Sequence, residues 1–273
     1  MLALDIPDAR CHPDPVPEPP HTGAPRAEPT ARRLPRVLMY HSISRPAGGP
    51  DDLCVSPERF GEQMLALRRA GLRGVSMREL RSAAAAGAAR RLVGLTFDDA
   101  YRDFLEAAVP VLERHGFTAT VFAVAGMLGG ENSWEHRGGG RPRLALLDAA
   151  GLREASERGM EVGSHTMTHP RLSGLQGEAL EREVAGSRQL LQEELGLPVE
   201  GLCYPYGDLS PAAVSAARRA GYRYACATKW RAEGSVYDWP RIFVSEEDTP
   251  LRLWAKLALD TLRRLTRRSR SGA

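Results

Sequence analysis

From position 37 onward the chain alternates between short apolar runs and longer amphipathic stretches. Val37-Leu38-Met39-Tyr40 is an unbroken apolar run of strand length, and Leu92 to Phe97 is nearly so. Such runs suit parallel strands buried on both faces. Further strands are expected at residues 72–75, 118–124, 160–163, 199–204, 222–225 and 242–244. Between them, apolar positions recur at helical spacing, as at Phe60, Met64, Leu67 and Ala70. Helices are expected from Ser56-Pro57, over 77–89, 101–115, 146–158 and 177–195, from Ser210-Pro211 to Ala220, and from Thr249-Pro250 onward. A capping hydroxyl followed by proline suits a helix start. Residues 126–143 are glycine-rich and read as a long loop.

Repeated strand–helix alternation predicts an α/β protein with a parallel sheet and helices outside it. Roughly six to eight such units suit a closed barrel, with an open doubly wound sheet as the alternative. The open sheet calls for a glycine-rich phosphate fingerprint after the first strand. Here His41-Ser42-Ile43 follows instead.

Residues 1–36 hold nine of the twenty prolines and little aliphatic periodicity, and are expected to be a disordered leader. Met1 to Arg10 include Asp5, Pro7 and Asp8 and lack the apolar run of a signal peptide. A cytoplasmic protein is therefore expected, with a folded unit over 37–248 and a closing segment over 249–273. In that segment Leu251, Trp254, Leu257, Ala258 and Leu265 fall near one helix face, and five arginines with no acid follow Asp260. This reads either as a helix docked on the barrel or as a basic amphipathic tail at the inner face of an anionic membrane.

The net charge of +3 gives no electrostatic case for nucleic acid. Cys11, Cys54, Cys203 and Cys226 form no C-x-x-C pair, which argues against a thiolate zinc site and suits buried free thiols.

The unusual polar residues fall just after expected strands: His41, Asp98, Asp99, His165, His169 and the turn Tyr204-Pro205-Tyr206-Gly207. In parallel barrels that face is where active sites assemble. Taken alone, Asp98-Asp99 suits the cap of the helix near Tyr101, and His165-x-x-x-His169 suits either a metal or chance among seven histidines. Together, two imidazoles and a carboxylate make an open zinc site, and a second carboxylate can act as general base.

Thr96-Phe97-Asp98-Asp99, His165-Thr166-Met167-Thr168-His169 and Tyr204-Pro205-Tyr206-Gly207 resemble, in order and spacing, the first three motifs of the polysaccharide deacetylases with a NodB homology domain, carbohydrate esterase family 4. The resemblance runs from about Val37 to Val244. It implies a distorted (β/α)7-type barrel. It also implies a divalent metal, usually zinc, on Asp99, His165 and His169, with Asp98 as the base that activates water. Tyr204, Pro205, Tyr206 and Gly207 would line the sugar groove, and the Tyr206 N–H would help bind the oxyanion.

Two departures from the family pattern stand out, with one match between them. The arginine that usually opens the third motif is replaced by Cys203, and Arg241 is the candidate substitute, paired with Asp98, or else simply solvated. Asp238-Trp239 matches the fourth motif's Asp-Trp pair, which would make Trp239 a pocket wall. No histidine follows His169, so the fifth motif's acid is missing. Met39-Tyr40-His41-Ser42-Ile43 resembles the branch that includes biofilm poly-N-acetylglucosamine deacetylases, in which a first-strand histidine serves as the acid. His41 is the candidate here, against a histidine bonded to loop backbone. Trp134, in the glycine-rich loop, reads as a surface residue, with substrate stacking as the alternative.

The expected function is metal-dependent removal of N-acetyl groups from a carbohydrate or polysaccharide. The alternatives are an O-acetyl esterase using the same chemistry and a catalytically weak carbohydrate-binding protein.

Overall fold

Strand β1 is Val37–Tyr40, and all four of its residues are buried, as an uninterrupted apolar run requires. The computed structural model describes residues 34–45, 52–136, 143–228 and 235–269, with side chains at all of these except 135, 136 and 264–269. The strands after β1 are β2 (Arg73–Val75), β3 (Leu92–Phe97), β4 (Thr120–Ala123), β5 (Glu161–Ser164), β6 (Gly201–Cys203), β7 (Tyr224–Ala227), β8 (Trp239–Pro240) and β9 (Ile242–Phe243). Their order in the sheet is β8-β7-β6-β5-β4-β3-β1-β9, with β2 beside the lower part of β3.

Every pairing in this sheet is parallel. Only Arg241 separates β8 from β9. On one side the segment 239–243 pairs Trp239 with Cys226 of β7, and on the other it pairs Phe243 with Met39 of β1. One short stretch of chain thus joins the two ends of the sheet into a nearly closed barrel. The sequence reading found β9 and missed β8, because Pro240 removes a ladder donor and disguises the strand.

The helices are α1 (Pro57–Arg69), α2 (Met77–Ala85), α3 (Val109–His115), α4 (Ala149–Glu157), α5 (Gly177–Glu181), α6 (Ser187–Leu195), α7 (Pro211–Arg219) and α8 (Pro250–Ser269). Ser56, Ser76, Asp148 and Ser210 cap α1, α2, α4 and α7 by accepting from backbone N–H groups; such caps contribute about 1 kcal/mol each. α2 ends earlier than expected because the chain turns left-handed at Gly87. A π-helical turn, Phe104–Ala108, precedes α3, and another, Arg182–Gly186, joins α5 to α6.

One contiguous core runs from Leu34 to Leu257. Tyr40 stacks on Phe97 with Phe60 edge-on to both. Leu34 is buried in this core, ahead of the expected start at 37, while residues 1–33 of the expected leader lie outside the described residues. α8 joins the core through Leu253 and Leu257. Among the described residues, Cys54, Cys203 and Cys226 are buried free thiols.

Candidate active site

Five non-glycine residues among those described have positive φ: Asp99, Ala100, Thr166, His169 and Tyr206. All five lie in loops following β3, β5 and β6, at the C-terminal end of the barrel. Left-handed backbone costs such residues about 1–3 kcal/mol each and persists only where the surroundings hold it. Its concentration here marks the site before any chemistry is considered.

Two carboxylates at the π-helical regions fix chain segments around this site, and the sequence reading missed both. Glu183 accepts from the backbone N–H groups of Met167 and Thr168 (2.9 Å each) and from the Thr168 hydroxyl at 2.7 Å, fixing the loop that carries His165 and His169. Asp103 accepts from Ser42 Oγ at 2.5 Å and Ile43 N at 2.9 Å, fixing the chain beyond His41. π-bulges are frequent at functional sites, and here each falls beside the turn that presents such an acid. No sequence signal distinguished these two acids from solvated helix residues.

The loops bring Asp99, His165 and His169 together, with one possible ligand atom from each lying within 4.8 Å of the others. Asp99 Oδ1 is 3.5 Å from His165 Nε2 and 3.4 Å from His169 Nε2. Donors with ~2 Å bonds to a tetrahedral ion lie about 3.3 Å apart, so the three fit a single zinc-sized cation. His165 Nδ1 lies 2.8 Å from the Cys203 carbonyl, which in the neutral ring takes the Nδ1–H and leaves the Nε2 lone pair facing Asp99. Burial holds both imidazoles below their ordinary range, strongly so for His169, where the neighbouring His165 adds to the effect. Neutral imidazole is the ligating form.

Asp98 lies beside this trio and does not cap the following helix. Arg241 clamps it, Nη1 donating to Oδ1 at 2.6 Å and Nη2 to Oδ2 at 2.8 Å. Arg241 also donates to Thr96 Oγ1 and the Ala227 carbonyl, and its Nη2 is 3.0 Å from Cys203 Sγ. Its side chain is fully buried, which rules out the solvated alternative. Burial alone would raise the Asp98 pKa, but the charge and hydrogen bonds of Arg241 outweigh it and hold the carboxyl well below the usual range. Asp98, His165 and Cys203 also converge, but the Arg241 guanidinium fills that position and leaves the Asp99 trio as the place for a cation. The small Cys203 side chain makes room for this arginine, which arrives from the segment that closes the barrel.

His41 Nε2 is 3.9 Å from Asp98 Oδ2 and the side chain is 13% exposed, so it sits at the rim of the same pocket. Tyr206 is 45% exposed, packs edge-on against His169 and carries Arg171 over its ring. Gly207 has φ 64°, and a Cβ there would fall 1.9 Å from Thr228 Oγ1, so glycine is required. Trp134 stacks on His169 with ring centroids 4.7 Å apart, against its reading as a surface residue. The side chain of its neighbour His136 lies outside the described residues.

Two expected groove residues belong elsewhere. Trp239 is fully buried and donates from Nε1 to the Pro35 carbonyl, just before β1 at the opposite end of the barrel. Tyr204 is equally buried, and its hydroxyl donates to the Tyr237 carbonyl. Pro205 is buried beneath the turn. Of the 204–207 motif, only the Tyr206 ring stands at the surface of the site, and Trp239 is no pocket wall.

A family model for polysaccharide deacetylase matches residues 86–225. The match includes Asp98, Asp99, His165, His169 and the 204–207 turn, but neither His41 nor Arg241. A Bacillus subtilis protein named as a polysaccharide deacetylase, YxkH, is 28% identical over 195 residues, covering 71% of this chain and 64% of YxkH. Poly-beta-1,6-N-acetyl-D-glucosamine N-deacetylase of Staphylococcus epidermidis is 26% identical over 179 residues, covering 60% of this chain and 59% of that protein. The matched region thus spans less than two thirds of these relatives' own length. The Streptococcus pyogenes deacetylase PplD, solved in complex with acetate, aligns with a TM-score of 0.71 at 23% identity, covering 84% of this chain and 99% of PplD. That likeness establishes a shared barrel.

Proposed function

The chain belongs to the polysaccharide deacetylase family, and from that premise we propose that it hydrolyses N-acetyl groups on an amino-sugar polysaccharide with the aid of a divalent metal. The observation that carries this reading is the pairing of two carboxylates with separate tasks. Asp99 faces two neutral imidazoles, while Asp98, next in sequence, faces a guanidinium. A zinc ion on Asp99, His165 and His169 supplies Lewis acidity toward the acetyl carbonyl and acidifies water.

Asp98 stays ionised across the working pH range and is placed to take the proton of the attacking water. Arg241 orients both of its oxygens and is a positioning residue. Water adds to the acetyl carbon, and the carbon–nitrogen bond breaks as the sugar nitrogen takes a proton, giving acetate and a free amine. His41, across from Asp98, is the group proposed to supply that proton. The exposed Tyr206 ring offers a face for a sugar, and the Tyr206 backbone N–H is proposed to bind the developing oxyanion. The Staphylococcus relative's name points to β-1,6-linked N-acetylglucosamine as the first polymer to test.

The decisive assay is acetate release from β-1,6-linked N-acetylglucosamine oligomers by zinc-loaded protein. Release is expected to stop on chelation and to fall at least about a thousandfold in Asp98→Asn. Turnover confined to acetyl esters would replace this reading with the O-acetyl esterase. Tight sugar binding with no turnover of either substrate would leave a carbohydrate-binding protein.

In a pH–rate profile, His41→Asn is expected to lose the alkaline limb and to fall roughly a hundredfold or more in kcat. An alkaline limb retained at wild-type height would remove His41 as the acid.

A further inference from the structure

α8 has two apolar faces, and the barrel uses only one. Leu253, Leu257 and Asp260 are buried against the fold. On the opposite side of the helix, Leu251 is 79% exposed, Leu259 51% and Leu262 56%, with Ala255 and Ala258 exposed between them. Positions 251, 255, 258 and 262 follow the i, i+4, i+7, i+11 spacing of a single helical stripe. Three leucines on the outer face of one helix exceed the scattered apolar exposure of an ordinary soluble surface.

At its N-terminal end the stripe adjoins the exposed Arg252–Glu247 pair, and towards its C-terminal end the charge has one sign. Past Asp260 the sequence carries Arg263, Arg264, Arg267, Arg268 and Arg270 and no acid. Where α8 passes the N-terminal end of β1, Arg36 donates to Thr261 Oγ1. A surface groove there is lined by Arg36 and Arg90, together with apolar residues and Thr261, and by no acid among the described residues. No helix among the described residues is long and apolar enough to cross a membrane. An exposed leucine stripe flanked by arginines is the arrangement of a helix that lies in a lipid headgroup layer.

We propose that the outer face of α8, with the adjoining Arg36 and Arg90 groove, docks the barrel on an anionic lipid surface. The leucines enter the boundary between headgroups and acyl chains, and the arginines meet lipid phosphates. Because α8 packs along the flank of the barrel, the strand-end loops bearing Asp98 and Asp99 stay clear of the bilayer and open to a polymer.

The test is co-sedimentation of the full chain with vesicles of phosphatidylcholine alone and of phosphatidylcholine with phosphatidylglycerol. Binding is expected only to the anionic vesicles, weakening as salt rises, since each basic residue near such a surface contributes roughly fivefold. The double variant Leu259→Glu, Leu262→Glu is expected to lose binding by roughly twentyfold or more while melting at the wild-type temperature, since both positions are exposed. Equal binding by this variant and the wild type, or no binding of the wild type to anionic vesicles, would overturn the proposal. So would a concentration-dependent dimer, seen by light scattering, that the same double variant dissolves, because the face would then belong to a second copy of the chain.

Discussion

Asp99→Ala is expected to lose stoichiometric zinc and acetate release together, with kcat/KM falling at least about a thousandfold. Asp99 Oδ1 faces both His165 Nε2, at 3.5 Å, and His169 Nε2, at 3.4 Å. Two neutral imidazoles alone leave a weak, open site. The stability readout separates this role from a structural one. At a hundredfold excess over its Kd, zinc should stabilise the wild type by about 2.7 kcal/mol, or roughly 5–10 °C in Tm for a chain of this size. Asp99→Ala should show no zinc-dependent shift. Full zinc binding by the variant would reject this trio as the metal site.

Arg241→Ala is expected to lower kcat by roughly a hundredfold or more and to move the acid limb of the rate profile to higher pH. In the wild type the Asp98 carboxyl is held below its ordinary value of 3.8, because Arg241 outweighs the effect of burial. The pair therefore contributes stability that is fully present above that value and is lost as pH falls through the lower folded-state value. Without Arg241, burial dominates, the Asp98 pKa rises above its ordinary value, and the sign reverses. The variant should then lose stability as pH climbs through the raised value. Breaking a buried pair on one side costs about 3–5 kcal/mol, so urea midpoints from pH 4 to 8 can follow the change. Arg241→Lys should recover only part of either effect, since an ammonium cannot grip both carboxylate oxygens. An acid limb that stays in place in Arg241→Ala would show that Asp98 is not the base or that Arg241 does not hold it.

Much of the fold was legible because buried parallel strands are written as apolar runs. Val37–Tyr40 and Leu92–Phe97 were read with the boundaries they have in the structure, and the serine caps before Pro57 and Pro211 set the starts of α1 and α7. The grouping of Asp99, His165 and His169, with Asp98 beside it, was legible because these residue types stand on short stretches next to strand ends. Other roles were not, because they depend on which way a side chain points once the barrel closes. Tyr204, just after β6, and Trp239, in β8, carry the letters of groove residues, yet both turn into the core. Trp134 carries the letters of a surface loop and lies flat on His169.

By itself, then, the sequence determined a strand–helix barrel and the donor atoms at its C-terminal end, both of which follow from local patterns of apolarity and residue type. Only the tertiary structure decided how those donors are oriented. Arg241 lies 143 positions from Asp98 along the chain, and no local pattern predicts their contact. It forms because the segment 239–243 pairs with β7 on one side and β1 on the other. Glu183 and Asp103 likewise act only once their helices pack against the loops, Glu183 taking up backbone donors between the left-handed Thr166 and His169 and Asp103 one beyond β1. Such long-range satisfaction of buried polar groups depends on closure of the whole barrel, and a one-dimensional pattern carries no record of it.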